Sequence, residues 1–125
     1  MDWLTYLIYG LLLWFVVSRF LPLRWLEQLG PQDVEERLKD KKQHVYLDVR
    51  EPGEYKGGHI PGFTNIPLSQ LKRRVGEVEK GKTVILTCQS GMRSRQAAKI
   101  LRKHGCTRIA HLKTGMSGWR GRVVR

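Results

Sequence analysis

The sequence predicts an α/β domain with a mostly parallel central sheet flanked by helices, preceded by one transmembrane helix. Three observations predict it. Short apolar, β-rich runs alternate with stretches of helical period through residues 31–125. An unbroken uncharged run, WLTYLIYGLLLWFVV, fills residues 3–17. The net charge of +12 lies beyond residue 30, because Arg19 and Arg24 offset Asp2 and Glu27 before it.

The first segment, 1–26, reads as the transmembrane helix and its flank. From residue 3 to 23 it is broken only by Arg19, and a bilayer core of roughly 30 Å needs about 20 apolar residues in a helix. Arg19 can extend its guanidinium to the headgroups. Trp3 and Tyr6 mark one interface and Trp25 the other, and Pro22 is where the helix weakens. A cleaved signal peptide would begin with basic residues and end in a small-residue cleavage site; this chain begins Met1-Asp2 and has no such site. An interfacial helix would need a charged face along its length, which Thr5, Tyr6 and Tyr9 do not supply. Arg24, Arg37, Lys39, Lys41 and Lys42 all follow the span and no Lys or Arg precedes it. That bias puts the N-terminus outside and the following domain in the cytoplasm, as in a bacterial inner membrane.

The second segment, 31–125, reads as the domain. Residues 31–40 form a helix, with Pro31 in its first turn, Val34 and Leu38 on one face, and Glu35 four residues before Lys39. Residues 45–49 (VYLDV) are a buried strand, 52–56 a short helical turn, and 63–66 a short strand. Leu68, Leu71 and Val75 share a helical face. Residues 83–87 are a second strong strand, 94–104 a helix stopped by Gly105 at the left-handed C′ position, and 108–112 the last strand. Residues 27–30 read as a short connection. Two cysteines far apart make no disulfide framework, and no Cys/His cluster has metal-ligand spacing.

One of those cysteines has an unusual setting. Cys88 follows the strand 83–87 and precedes a helix, in the stretch CQSGMRS. The C-terminal end of a strand in an open α/β sheet is where ligands bind. Backbone amides from Gln89, Ser90, Gly91, Met92, Arg93 and Ser94 can point inward at one spot, and the following helix adds its positive end. Gly91 permits a positive φ, and Arg93 brings a permanent charge. The setting favours an anion, so Cys88 is the candidate thiolate nucleophile.

These residues, with their surroundings, resemble the rhodanese family of single-domain thiosulfate sulfurtransferases. Three blocks carry the resemblance: YLDVREPGEYKGGHIPGFTNIPL (46–68), VILTCQSGMRS (84–94) and HLKTGMSGW (111–119), the last with Thr114 where the family has a glycine. The resemblance implies a persulfide cycle. Cys88 takes sulfane sulfur from a donor such as thiosulfate or a persulfide and passes it to a nucleophilic acceptor, cyanide or a thiol. The amides of Gln89 to Ser94 hold the sulfur and Arg93 orients the anionic donor. No metal or organic cofactor is implied, because sulfur is the group carried. The bilayer contact lies outside the resemblance and rests on the apolar run of residues 3–23; the sequence names no protein partner.

Two rival readings stay open. Phosphatases and arsenate reductases of related design place five residues between cysteine and arginine, whereas four separate Cys88 from Arg93, and Thr87 stands where those enzymes have a histidine. A non-catalytic, membrane-tethered interaction module is the second rival, favoured in this family where the cysteine is lost. Asp48 and Arg50 could line the site, though a structural polar network is the simpler role, and His59 is expected to hold its turn by hydrogen bonding. Cys106 reads as a small buried hydrophobe. The basic residues Arg95, Lys99 and Arg102 share a helix face opposite Ala97 and Leu101, suited to solvent, to anionic headgroups or to drawing in anionic donors. No aromatic-interleaved patch or motif supports nucleic acid binding.

Overall fold

The computed structural model describes residues 2–20 and 23–125, with the side chains of residues 19 and 20 outside the description. A five-stranded parallel sheet has the order β1-β5-β4-β2-β3. In chain order the elements are α1 (Trp3–Phe20), β1 (Leu26–Leu29), α2 (Pro31–Arg37), β2 (His44–Asp48), α3 (Pro52–Lys56), β3 (Thr64–Asn65), α4 (Leu68–Arg74), β4 (Thr83–Thr87), α5 (Met92–Lys103) and β5 (Ile109–Leu112), with a closing 3₁₀ turn at Gly115–Gly118. Central strand β4 is buried on both faces, as a parallel strand covered by helices must be.

Alternate side chains of β4 enter opposite layers. Val84 and Leu86 join Leu47, Leu71, Ala97, Ala98 and Leu101 in the core facing α4 and α5. Ile85 joins Leu29, Val34, Tyr46, Ile60, Phe63, Ala110 and Leu112 on the other face. The register Leu47↔Leu86 and Asp48↔Thr87 brings the C-terminal ends of β2 and β4 level. The loops that follow, carrying Asp48, Arg50 and Cys88, therefore share one edge of the sheet.

Three elements depart from the sequence reading by two residues or more. Residues 27–30 are not a connection: Leu26–Leu29 forms edge strand β1, paired with β5 and burying Leu26 and Leu29. Its two central residues face solvent, so the stretch lacks the apolar run that marks β2 and β4. Helix α5 begins at Met92, two residues earlier than expected, because Gly91 at φ 97° makes the turn itself. Helix α2 ends at Arg37, three residues short of the expected 40.

The spanning helix also needs correction. Among the described residues no helix is long and apolar enough to cross a membrane. Helix α1 has 18 residues, and at 1.5 Å per residue it reaches about 27 Å, short of a roughly 30 Å hydrocarbon core. The expected kink at Pro22 and the reach of the Arg19 side chain lie outside the described residues. Helix α1 is nonetheless exposed along its length, Leu13 and Trp14 at 65% each.

Candidate active site

Cys88 is the first residue beyond β4, and three residues later the chain turns into α5. The turn depends on Gly91. At φ 97° an L side chain is strained, and a Cβ there would lie 2.4 Å from the Lys113 carbonyl oxygen. The closing 3₁₀ turn braces the loop from behind. The Met116 amide donates to the Cys88 carbonyl at 2.7 Å and the Ser117 amide to the Gln89 carbonyl at 3.1 Å. With both carbonyls held on that side, the Gly91 amide is free to face the sulfur and donates to Cys88 Sγ at 2.9 Å. Thr114, where a glycine was expected, sits at φ −85°, a conformation any residue adopts without strain.

Cys88 is fully buried, and its thiol faces Ser94 Oγ at 3.7 Å. Ser94, also buried, belongs to the first turn of α5. The sulfur therefore sits at the positive end of a 12-residue helix, beneath exposed Gln89, Ser90 and Met92. Its lining is polar on the loop side and apolar on the core side, where it packs with Val49, Leu86 and Ala97. Of the six loop amides expected to hold the sulfur, Gly91's is the one hydrogen-bonded to it among the described residues.

Arg93 does not point its charge freely into the loop. Its guanidinium makes a bidentate pair with Glu54 on α3, Nη1 to Oε1 at 2.6 Å and Nη2 to Oε2 at 2.9 Å. That pairing holds the Glu54 carboxyl down to about 2, the Arg93 hydrogen bond outweighing burial. Arg93 is raised above its ordinary range, first by Glu54, with the field of Cys88 a smaller contributor. Glu54 also accepts the Glu51 amide at 3.1 Å, so it ties α3 to α5.

Asp48 and Arg50 form a buried pair rather than lining an opening. Arg50 Nη2 donates to Asp48 Oδ2 at 2.8 Å and to the Gly58 carbonyl at 2.8 Å, and Nε donates to both carboxylate oxygens. This network fixes the GGHIPG segment onto the end of β2. His59 bonds the Tyr55 carbonyl at 2.9 Å, stacks on the Tyr55 ring at 3.7 Å and pairs its backbone with Val124. Cys106 is buried and free, its thiol pushed up by desolvation. Arg102, expected on the solvated basic face, lies over the Trp25 ring at 4.5 Å.

Three residues at the site escaped the sequence reading. His111 on β5 bonds Ser94 Oγ at 2.7 Å, and Gln28 on β1 bonds the far side of the same imidazole at 2.7 Å. An ionisable residue inside the fully buried run IAHL was the available signal. Glu54 lay within a quoted block without a role. Gln28 gave no signal, because β1 itself was missed.

The family model of the rhodanese-like domain matches residues 30–122. An uncharacterized Bacillus subtilis protein, YqhL, is 54% identical over 77 residues, covering 62% of this chain and 61% of YqhL. The chain thus spans less than two thirds of that relative. A sulfurtransferase of Allochromatium vinosum is 30% identical over 94 residues, covering 75% of this chain and 88% of that protein. The crystal structure of a rhodanese-related protein from Thermoplasma volcanium superposes with a TM-score of 0.70 at 31% identity, over 78% of this chain and 97% of that one.

Proposed function

The chain belongs to the rhodanese-like domain family, and from that premise we propose that it is a sulfurtransferase working through a persulfide on Cys88. The thiolate attacks the sulfane sulfur of thiosulfate or a persulfide donor. A new S–S bond forms at Cys88, the donor's S–S bond breaks, and its electron pair leaves with sulfite or a thiolate. Cyanide or a thiol then attacks the outer sulfur and returns Cys88 as a thiolate. The observation that carries the reading is the Gly91 N–H aimed at Sγ from 2.9 Å, at the start of α5. A hydrogen bond to a charged acceptor contributes about 1.5–3 kcal/mol, and the helix end about 0.3–1 kcal/mol more. The short spacing from Cys88 to Arg93 supports sulfur over phosphate as the group transferred.

Arg93 supports the donor step as an anchored charge. Held by Glu54, it presents a fixed edge to an anion arriving over Gln89 and Ser90 instead of a mobile one. The amides of Gln89, Ser90, Met92, Arg93 and Ser94 complete the cradle once a second sulfur is present. The test is intact and peptide mass spectrometry after thiosulfate exposure. One added sulfur atom on Cys88, removed by cyanide, is expected. A chain that binds partners without carrying sulfur would leave Cys88 unmodified, and aryl phosphate hydrolysis would favour the phosphatase reading.

The proposal also places the protein at a membrane, held there by α1, with its domain on the cytoplasmic side. Exposed apolar side chains on all faces of α1 support contact with acyl chains, and the Lys and Arg surplus that follows it supports attraction to anionic headgroups. Flotation of the full chain with vesicles tests attachment; recovery of the protein away from lipid would overturn it.

A further inference from the structure

Burial sets a problem for Cys88. Desolvating an anionic sulfur costs several kcal/mol, which matches or exceeds what Gly91 and the helix end return. The proton leaving the thiol also needs somewhere to go. The buried polar residues behind the sulfur answer both needs.

His111 is 2% exposed in the middle of β5. Its Nε2 meets Gln28 Oε1 at 2.7 Å. The Gln28 amide nitrogen donates to the Leu26 carbonyl at 3.3 Å, which turns its oxygen toward the ring. An amide oxygen only accepts, so Nε2 carries the hydrogen. The ring is neutral, since burial and then the charge of Arg95 hold it at about 4. Nδ1 is therefore a lone pair. The Ser94 hydroxyl carries one hydrogen and has two acceptors in reach, the Gly91 carbonyl at 3.0 Å and Nδ1 at 2.7 Å; along the relay it donates across the shorter contact, to Nδ1. Ser94 Oγ in turn accepts from the Cys88 thiol at 3.7 Å. Every bond in the row points away from the sulfur and toward Gln28, at the exposed edge of the sheet.

We propose that Cys88, Ser94, His111 and Gln28 form a proton relay that takes the thiol proton as Cys88 ionises and stores it on His111. The step deepens the sulfurtransferase reading and rests on it for its place in a reaction. The thiol proton moves to Ser94 Oγ while the Ser94 hydroxyl proton moves to His111 Nδ1. The products are a thiolate, an intact hydroxyl and an imidazolium protonated on both nitrogens; no electron changes hands. The row then reverses: Nδ1–H donates to Oγ, and the Ser94 hydroxyl can donate to the sulfur. The thiolate gains a second donor beside Gly91. The same proton can return when the acceptor takes the outer sulfur.

A buried imidazole is a weak base while the sulfur is neutral. The groups facing it are Ser94 and Arg95 from α5, Cys88 from the end of β4, and Gln28 from β1. Arg95 opposes the imidazolium and a thiolate at Cys88 favours it. His111 acts on the sulfur only through Ser94 and is a positioning residue.

The test follows the alkylation rate of Cys88 by iodoacetamide against pH, in the full chain, for the wild type, His111→Asn and Gln28→Glu, with thiosulfate loading measured alongside. Asparagine can accept from Ser94 but cannot take its proton. H111N should react about 100-fold more slowly at pH 7, with a rate that climbs tenfold per pH unit. A glutamate beside Nε2 favours the imidazolium, so Q28E should move the profile to lower pH by about 1 unit. Position 28 lies on an exposed edge, so Q28E carries the test even if H111N folds poorly. Profiles of both variants that overlay the wild type would overturn the relay. Wild-type Cys88 that fails to load sulfur while the profiles shift as stated would remove the sulfurtransferase reading and leave the relay. Normal loading with unshifted profiles would remove the relay alone.

Discussion

Cys88 and Cys106 are the same residue in two different settings. Both are free, both are buried, and both belong to one apolar cluster. Cys106 lies between α5 and β5, and burial there pushes its thiol up. Cys88 has a backbone N–H at 2.9 Å, a hydroxyl at 3.7 Å and a helix N-terminus behind it. Burial alone does not tell a reactive cysteine from a packing one. What separates them is whether donors accompany the sulfur into the interior.

The sharpest break between the two is removal. Cys88→Ser should lower thiosulfate:cyanide transfer by at least about 1,000-fold, because no other thiol can take its place. Cys106→Ala should change the rate less than twofold and cost about 1 kcal/mol of stability in a urea titration. Equal losses in the two variants would erase the distinction.

The second comparison is between the glycines beside each cysteine. Gly91→Ala forces a strained φ and drives a Cβ to 2.4 Å from the Lys113 carbonyl. It should cost about 3 kcal/mol and at least tenfold in transfer. Gly105, at φ 104°, has the flexible Lys80 side chain as its nearest neighbour, at 3.5 Å. Gly105→Ala should cost about 1–2 kcal/mol and leave the transfer rate of the folded protein unchanged. Transfer rates and chemical denaturation of both variants check the pair.

Acid should distinguish the two sides of the site. The His111 imidazole sits at about 4 in the folded protein against an ordinary 6.5. A depressed histidine contributes stability that is complete above 6.5 and lost as pH falls toward 4, up to about 3 kcal/mol. Glu54, held at about 2 against 4.5, contributes in a lower window, complete above 4.5 and lost as pH falls toward 2. Half-exposed Glu54 is screened and contributes the smaller part. Urea titrations from pH 7 to 4 should show the first loss in the wild type and a flatter curve in H111N. A wild-type curve flat from 7 to 4 would contradict the buried neutral ring.

The elements legible in the sequence were those with one dominant signal. The runs VYLDV and TVILT fill the centre of the sheet and read as strands because both faces are apolar. CQSGMRS read as a loop into a helix because Gly91 and the strand before it mark the turn. Edge strand β1 was not legible, since Leu26 and Leu29 are spaced as readily for a helix as for a strand and only the partner β5 decides. Gln28 was lost with it. The Glu54–Arg93 pair joins residues 39 apart, and the Gln28–His111 contact joins residues 83 apart; neither separation leaves a trace in local pattern. Helix α1 read as spanning because composition extends past Arg19, whereas the helix that forms is 18 residues long.

The most direct test of the account compares the two thiols in a single sample. The full chain is exposed to limiting iodoacetamide at pH 7, and each cysteine-bearing peptide is followed by mass spectrometry through time. Modification of Cys88 at least about 100 times faster than Cys106 is the predicted result. Equal rates, or Cys106 ahead, would mean that the donors around Cys88 do not make it a nucleophile.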